Sequence, residues 1–114
     1  MGVPFGALVS TNDVTTAVLA YGNPCTIMAV QAFESGVAGD AYIQLFDVAA
    51  VADMTLGTTK PSWVVVIDQG TAEVSTEDGL PAHGVSFLNG IVIASTTTPT
   101  GNTTRETDVR IVIV

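Results

Sequence analysis

His83 is the only histidine in the chain and Cys25 the only cysteine, so any hydrolytic or redox chemistry would have to be built around one imidazole or one thiol. A catalytic histidine needs a carboxylate to orient it and a nucleophile beside it. His83 stands in Pro81-Ala82-His83-Gly84, the composition of a turn, and a surface histidine is the simpler account. Cys25 would need a helix N-terminus or a neighbouring cation to become a reactive thiolate. It falls instead within an alternating apolar run, so we read it as a small buried hydrophobe. One histidine cannot supply the imidazoles of a usual zinc site. Glu73, Glu77 and Asp78 lie close in sequence, but the Asp-x-Asp-x-Asp-Gly calcium loop is missing, which leaves a solvated acidic turn. Phosphate-loop and Gly-x-Ser-x-Gly signatures are absent too. Trp63, Tyr21 and Tyr42 have faces that could stack on a sugar ring, although their placement in strand patterns favours core packing. The expectation is a non-enzymatic protein with no catalytic residue, no cofactor and no metal.

Charge and composition narrow the partners. Eleven acids against Lys60, Arg105 and Arg110 give a formal charge of -8, the wrong sign for neutralising nucleic-acid phosphates or an anionic bilayer. Neither nucleic acid nor membrane is expected as a partner. The chain is 47% hydrophobic and only 12% charged, which provides a core and argues against intrinsic disorder. A length of 114 residues fits one domain. A lone cysteine allows no internal disulfide, so stability must come from packing or from subunits. Met1-Gly2-Val3-Pro4-Phe5 lacks the basic and continuous apolar regions of a secretory signal, and export by that route is not expected.

The elements that would carry these residues read as strands. Valine, isoleucine and threonine dominate, and β-branched side chains favour pleated surfaces. Turn signals at Gly22-Asn23-Pro24, Glu34-Ser35-Gly36, Asp78-Gly79 and Asn89-Gly90 separate short apolar runs, the spacing of a β-sandwich or barrel. Residues 1–13 show no sustained period and read as an N-terminal arm, with 14–114 as a single domain. Expected strands are Val14–Tyr21; Cys25–Phe33, with Cys25, Ile27 and Ala29 on one face; Ala41–Asp47; and Trp63–Ile67. Gly70–Thr76 is expected to pair with the last of these. Val48–Leu56 forms a short helix or a loop. Leu80–Leu88, broken by Pro81 and Gly84, belongs at an edge or bulge. Asn89-Gly90 predicts a type I′ hairpin turn returning through Ile91–Ala94. The threonine-rich 96–104 segment reads as a mobile surface loop, and Thr107–Val114 alternates Val109, Ile111 and Ile113 against Arg110, Val112 and Val114. Apolar residues on both faces of several strands exceed what one small sandwich hides, which points to subunit or partner contacts.

Between Ala41 and Ala94 the motifs run Ala41-Tyr42-Ile43-Gln44-Leu45-Phe46-Asp47, Leu56-Gly57-Thr58-Thr59-Lys60-Pro61, Trp63-Val64-Val65-Val66-Ile67 and Gly84-Val85-Ser86-Phe87-Leu88-Asn89-Gly90-Ile91-Val92-Ile93-Ala94. This order resembles small all-β structural proteins of tailed bacteriophages, in which a tyrosine-containing strand, a Gly-Thr-x-x-Pro segment, an apolar strand and a Phe-x-x-Gly-Ile/Leu strand precede a threonine-rich loop. Lys60 departs from the small or proline residue more usual at its place.

The resemblance implies an all-β antiparallel sandwich, jelly-roll-like, with an N-terminal arm. It implies a virion component: a capsid decoration (cement) protein on the outer surface of an icosahedral head, commonly a homotrimer, made in the host cytoplasm, with the major capsid protein and its own copies as partners. A clamp that binds only the assembled lattice stabilises that lattice, and repetition gives avidity. Val3, Phe5, Leu8 and Val9 would be the arm's partner-binding anchors, by strand addition to an exposed edge. The alternatives are a phage head-fibre, tail or receptor-binding module, and a small carbohydrate-binding β-sandwich.

Overall fold

The computed structural model describes residues 7–14, 16–34, 40–67, 74–76, 80, 83–104 and 107–114, and describes 7–14, 33–34 and 74–76 through their backbone alone. Among them are nine strands: β1 (Ala7–Val14), β2 (Val18–Tyr21), β3 (Cys25–Glu34), β4 (Ala41–Phe46), β5 (Trp63–Ile67), β6 (Val74–Thr76), β7 (Val85–Phe87), β8 (Ile91–Thr96) and β9 (Thr107–Ile113). They form two antiparallel sheets. The first runs β1-β9-β3-β6, with β7 also on β3, and the second runs β2-β8-β4-β5. The expected all-β class is observed.

One apolar cluster draws on both sheets. Ile27, Val30, Val109, Ile111 and Ile113 come from the first sheet, and Ile43, Leu45, Val65, Ile67, Ile91 and Ile93 from the second. The alternation read for Thr107–Val114 is the burial observed in β9, where Val109, Ile111 and Ile113 are buried and Arg110 and Val112 half-buried. Sheets bury alternate residues because successive side chains point to opposite faces. β9 lies between β1 and β3, which gives the apolar C-terminal strand a pairing on each side.

Strand β3 departs from strict alternation. Ile27 pairs with Ile113 and Ala29 with Val112, so Met28 is one residue too many, a β-bulge that reverses the faces beyond it. Ile27 is buried on one side of the bulge, and Val30 and Ala32 on the other. This corrects the expected grouping of Ala29 with Ile27. Gly84 lies against the bulge: a Cβ at this position would meet the Ile27 carbonyl and, at 2.7 Å, Met28 Sδ, and its φ is +75. Glycine is required there both by the close approach and by the left-handed backbone.

Four further expectations are corrected. Residues 7–13, read as part of an arm, belong to strand β1, antiparallel to β9 from Ala7↔Ile113 to Val14↔Thr107. β6 pairs with β3, through Val30↔Thr76 and Ala32↔Val74, and not with β5. Asn89-Gly90 closes no hairpin, because β7 and β8 lie in different sheets; it is a corner at which the chain changes sheet. Between Val14 and Tyr21 the single expected strand divides into the end of β1 and β2. The 48–56 segment holds one 3-10 turn, Val51–Asp53.

The outer face of the second sheet is covered by the chain itself. Phe46, Met54, Val92 and Ala94 form a second buried cluster, packed by Ala17, Val48 and Leu56. Part of the apolar surplus seen in the sequence is thereby absorbed within one subunit. Among the described residues the large hydrophobics left exposed are Leu19, Met28, Val51, Val66, Leu88 and Val114.

Candidate functional site

On that covered face an open cleft of about 510 Å³ is lined by Thr16, Ala17, Val51, Met54, Leu56, Asn102 and Thr104. Its described lining combines apolar side chains with two threonine hydroxyls and the Asn102 amide, and holds no charged side chain among the described residues. A concave surface of this kind, apolar with a few polar groups at its border, suits an uncharged occupant. Two polar devices, at Gln44 and at Asp47, fix the chain around this sheet.

The first device is Gln44, fully buried on β4 between Tyr42 and Phe46. Its amide nitrogen donates to Thr96 Oγ1 at 2.7 Å, to the Gly101 carbonyl at 3.1 Å and more weakly to the Thr98 carbonyl at 3.4 Å. The Thr96 hydroxyl in turn donates to the Thr98 carbonyl at 2.7 Å. Carbonyls only accept, so the amide must present its nitrogen to the loop. Its Oε1 is then buried with no hydrogen-bond partner among the described residues, at a cost of about 1–3 kcal/mol. Thr97 N donates to the Thr103 carbonyl at 3.0 Å, and Thr96 bridges Thr104. The 96–104 segment, expected as a surface loop, is therefore pinned to the sheet at its base. A polar residue alternating with aromatics on a strand that faces hydroxyl-rich sequence was the signal.

The second device is Asp47, directly after β4. Its carboxylate accepts from Leu88 N at 3.1 Å and Asn89 N at 2.8 Å, and so clamps the corner between the sheets to the start of the segment that covers the cleft's sheet. Burial raises the Asp47 pKa, but backbone hydrogen bonds from Leu88, Asn89 and Gly90, with the Asn89 side chain, outweigh it and hold the carboxyl below its ordinary value of 3.8. The folded state thus binds protons less readily than the unfolded chain, so the stabilisation is complete above the ordinary value and is lost as pH falls through the lower, folded one. Replacing Asp47 with alanine is expected to cost about 1–2 kcal/mol at neutral pH, as for a hydrogen-bonded charged acceptor. It should also flatten the acid limb of the stability curve below about pH 4. Urea denaturation of both proteins across that range measures this; parallel acid limbs would refute it.

The residues first considered for chemistry do not converge. His83 is exposed in a turn. Cys25 is half-buried, and burial, with the nearby Asp47 charge, raises its thiol pKa, away from thiolate reactivity. Glu73, Glu77 and Asp78 lie outside the described residues, among which no group of three metal-binding side chains occurs. Trp63 and Tyr21 pack against the main core, and Tyr42 is half-buried. Of the expected arm anchors, Leu8 and Val9 lie in β1 opposite Val112 and Ile111, while Val3 and Phe5 lie outside the described residues. No helix among the described residues is long and apolar enough to cross a membrane.

No family model, curated protein or solved structure matches the chain.

Proposed function

We propose that this chain is a structural virion protein, a decoration or cement protein that binds the outer surface of an icosahedral phage head as a homotrimer. The observation that carries the reading is where the ordered motifs fall. The tyrosine-containing strand, the apolar strand and the strand after Asn89-Gly90 are β4, β5 and β8, and these are neighbours in one sheet, in the order β8-β4-β5. Within the resembling stretch these three strands form a contiguous part of one sheet, while Val85–Phe87 of the last motif forms β7 on the other sheet.

We also read the two sheets as a sandwich of jelly-roll type. With the short β7 set aside, the orders β1-β9-β3-β6 and β2-β8-β4-β5 pair early strands with late ones, as two interleaved Greek keys require. Jelly rolls recur in viral shells and in lectins alike, so the fold supports the reading without deciding it. The role asks for a rigid body that adds binding free energy only to the assembled lattice. Excess negative charge keeps the free protein soluble and favours a shell surface with basic patches. The partner-binding segment is the N-terminal arm, narrowed to residues 1–6 with Val3 and Phe5 as anchors, because Leu8 and Val9 are engaged in β1.

Purified particles of the phage that encodes the chain provide the test, by mass spectrometry and electron cryo-microscopy. The expected result is many copies per particle and density on the head surface with threefold character. Density confined to the tail or to head fibres would replace the reading with one of those roles, and absence from particles would overturn it.

A further inference from the structure

We infer that the cleft of one copy receives the N-terminal arm of the next, with Val3 and Phe5 seated among Ala17, Val51, Met54 and Leu56. This rests on the reading above that the chain is a homo-oligomer with a partner-binding arm, and it names that arm's partner.

The first argument is reach. β1 begins at Ala7, opposite Ile113, and ends at Val14, opposite Thr107. Seven strand steps separate its ends by about 23 Å. The cleft lies at the Val14 end, since Thr16 and Ala17 follow β1 directly and Thr104 precedes β9. It also opens on the outer face of the other sheet, a further layer of about 10 Å away. From Ala7, Phe5 reaches at most about 7 Å and Val3 about 14 Å, even when fully extended. The arm starts at the wrong end of its own subunit to fill its own cleft. Only a second copy can offer the cleft to it.

The second argument is chemical fit. Residues 1–6 are Met-Gly-Val-Pro-Phe-Gly, without a charged side chain, against a cleft whose described lining residues also carry none. Pro4 lacks an N–H and biases Val3 toward an extended backbone, so a short strand-like insert brings few donors to satisfy. Thr16, Thr104 and Asn102 at the rim offer hydroxyls and an amide for the remaining peptide groups. Val51 is 38% exposed and would be covered. An arm at one end and its receptor at the other form a head-to-tail contact, which closes into a ring when the rotation allows. A trimer is such a ring.

The test mixes two single-cysteine chains, both in a Cys25→Ser background: one carries Phe5→Cys and the other Val51→Cys. After subunits exchange, mild oxidation is expected to join the two chains by a 5–51 disulfide, identified by peptide mapping. A control pair, Phe5→Cys with Val66→Cys on β5, should link at least tenfold more slowly. A second variant, Phe5→Asp, is expected to raise the concentration at which the oligomer dissociates by about tenfold or more. Equal linkage of the control pair, or a 5–51 disulfide closed within one doubly substituted chain, would overturn the inference, as would a wild-type chain that is monomeric. Failure here with head density present leaves the decoration reading standing. Linkage here with the protein absent from particles removes that reading and leaves the arm contact.

Discussion

A chain ending at Arg110 is expected not to fold. Residues 111–114 carry Ile111 and Ile113, each 1% exposed in the main core. They also supply the β9 positions that pair with Ala7, Leu8 and Val9 on one side and with Ile27, Ala29 and Val30 on the other. Val114 adds two backbone bonds with Thr26, at 2.9 and 3.1 Å. Losing a buried isoleucine side chain costs about 2–5 kcal/mol, so two of them alone remove about 4–10 kcal/mol. A whole domain has only about 5–15 kcal/mol to lose. The deletion also strips pairing from both β1 and β3, and unpaired strand edges invite association. We expect insoluble expression, or a soluble product with no cooperative melt by circular dichroism. Removing Val114 alone, a residue 51% exposed, should leave a folded protein with a modest loss. A soluble truncate at Arg110 that melts cooperatively would show that β9 is dispensable and that the core boundary drawn here is wrong.

This dependence on β9 was legible in the sequence, because period-two alternation reports directly on which face of a strand is buried. The same physics placed the bounds of β5 and the two apolar faces of β4. What alternation cannot report is the partner. Gly70–Thr76 reads as the return strand of Trp63–Ile67 because the two are close in sequence, yet its described part, Val74–Thr76, pairs with β3, and 70–73 lie outside the described residues. Asn89-Gly90 carried the residues of a hairpin turn, but the Asp47 carboxylate holds the Leu88 and Asn89 amides where the chain crosses between sheets. The Met28 bulge was invisible because it exists only relative to the register of β9. Ser10-Thr11-Asn12-Asp13 read as loop residues, although a strand with a partner on one side is under weaker demand for apolar alternation. The cleft could not be read at all, since its walls come from three separated stretches that only the fold unites.

Gln44 explains how such a cleft keeps its shape, and its replacement by alanine is expected to destabilise the protein by about 2–4 kcal/mol. Two effects add. The fully buried side chain leaves a cavity, and the Gly101 carbonyl loses the donor that held it at 3.1 Å. One effect opposes them: the buried, unpartnered Oε1 is removed. Gln44→Leu separates these contributions, because leucine fills most of the volume and carries no orphaned acceptor, yet cannot hold the loop. Its cost should be smaller than alanine's, about 1–2 kcal/mol, since the volume is filled and the orphaned acceptor is gone but the Gly101 carbonyl still loses its donor. Global stability and loop anchoring should therefore part company. In both variants the Thr97 amide, bonded to the Thr103 carbonyl, is expected to exchange with solvent faster, whereas amides of β4 and β8 slow down again in the leucine variant. Native-state hydrogen exchange resolves the two. If Thr97 keeps its protection in both proteins, or if alanine costs less than about 0.5 kcal/mol, the loop is held by its own backbone bonds. Asn102 and Thr104 would then owe their place at the cleft's rim to the Thr96–Thr104 bridge rather than to the buried amide.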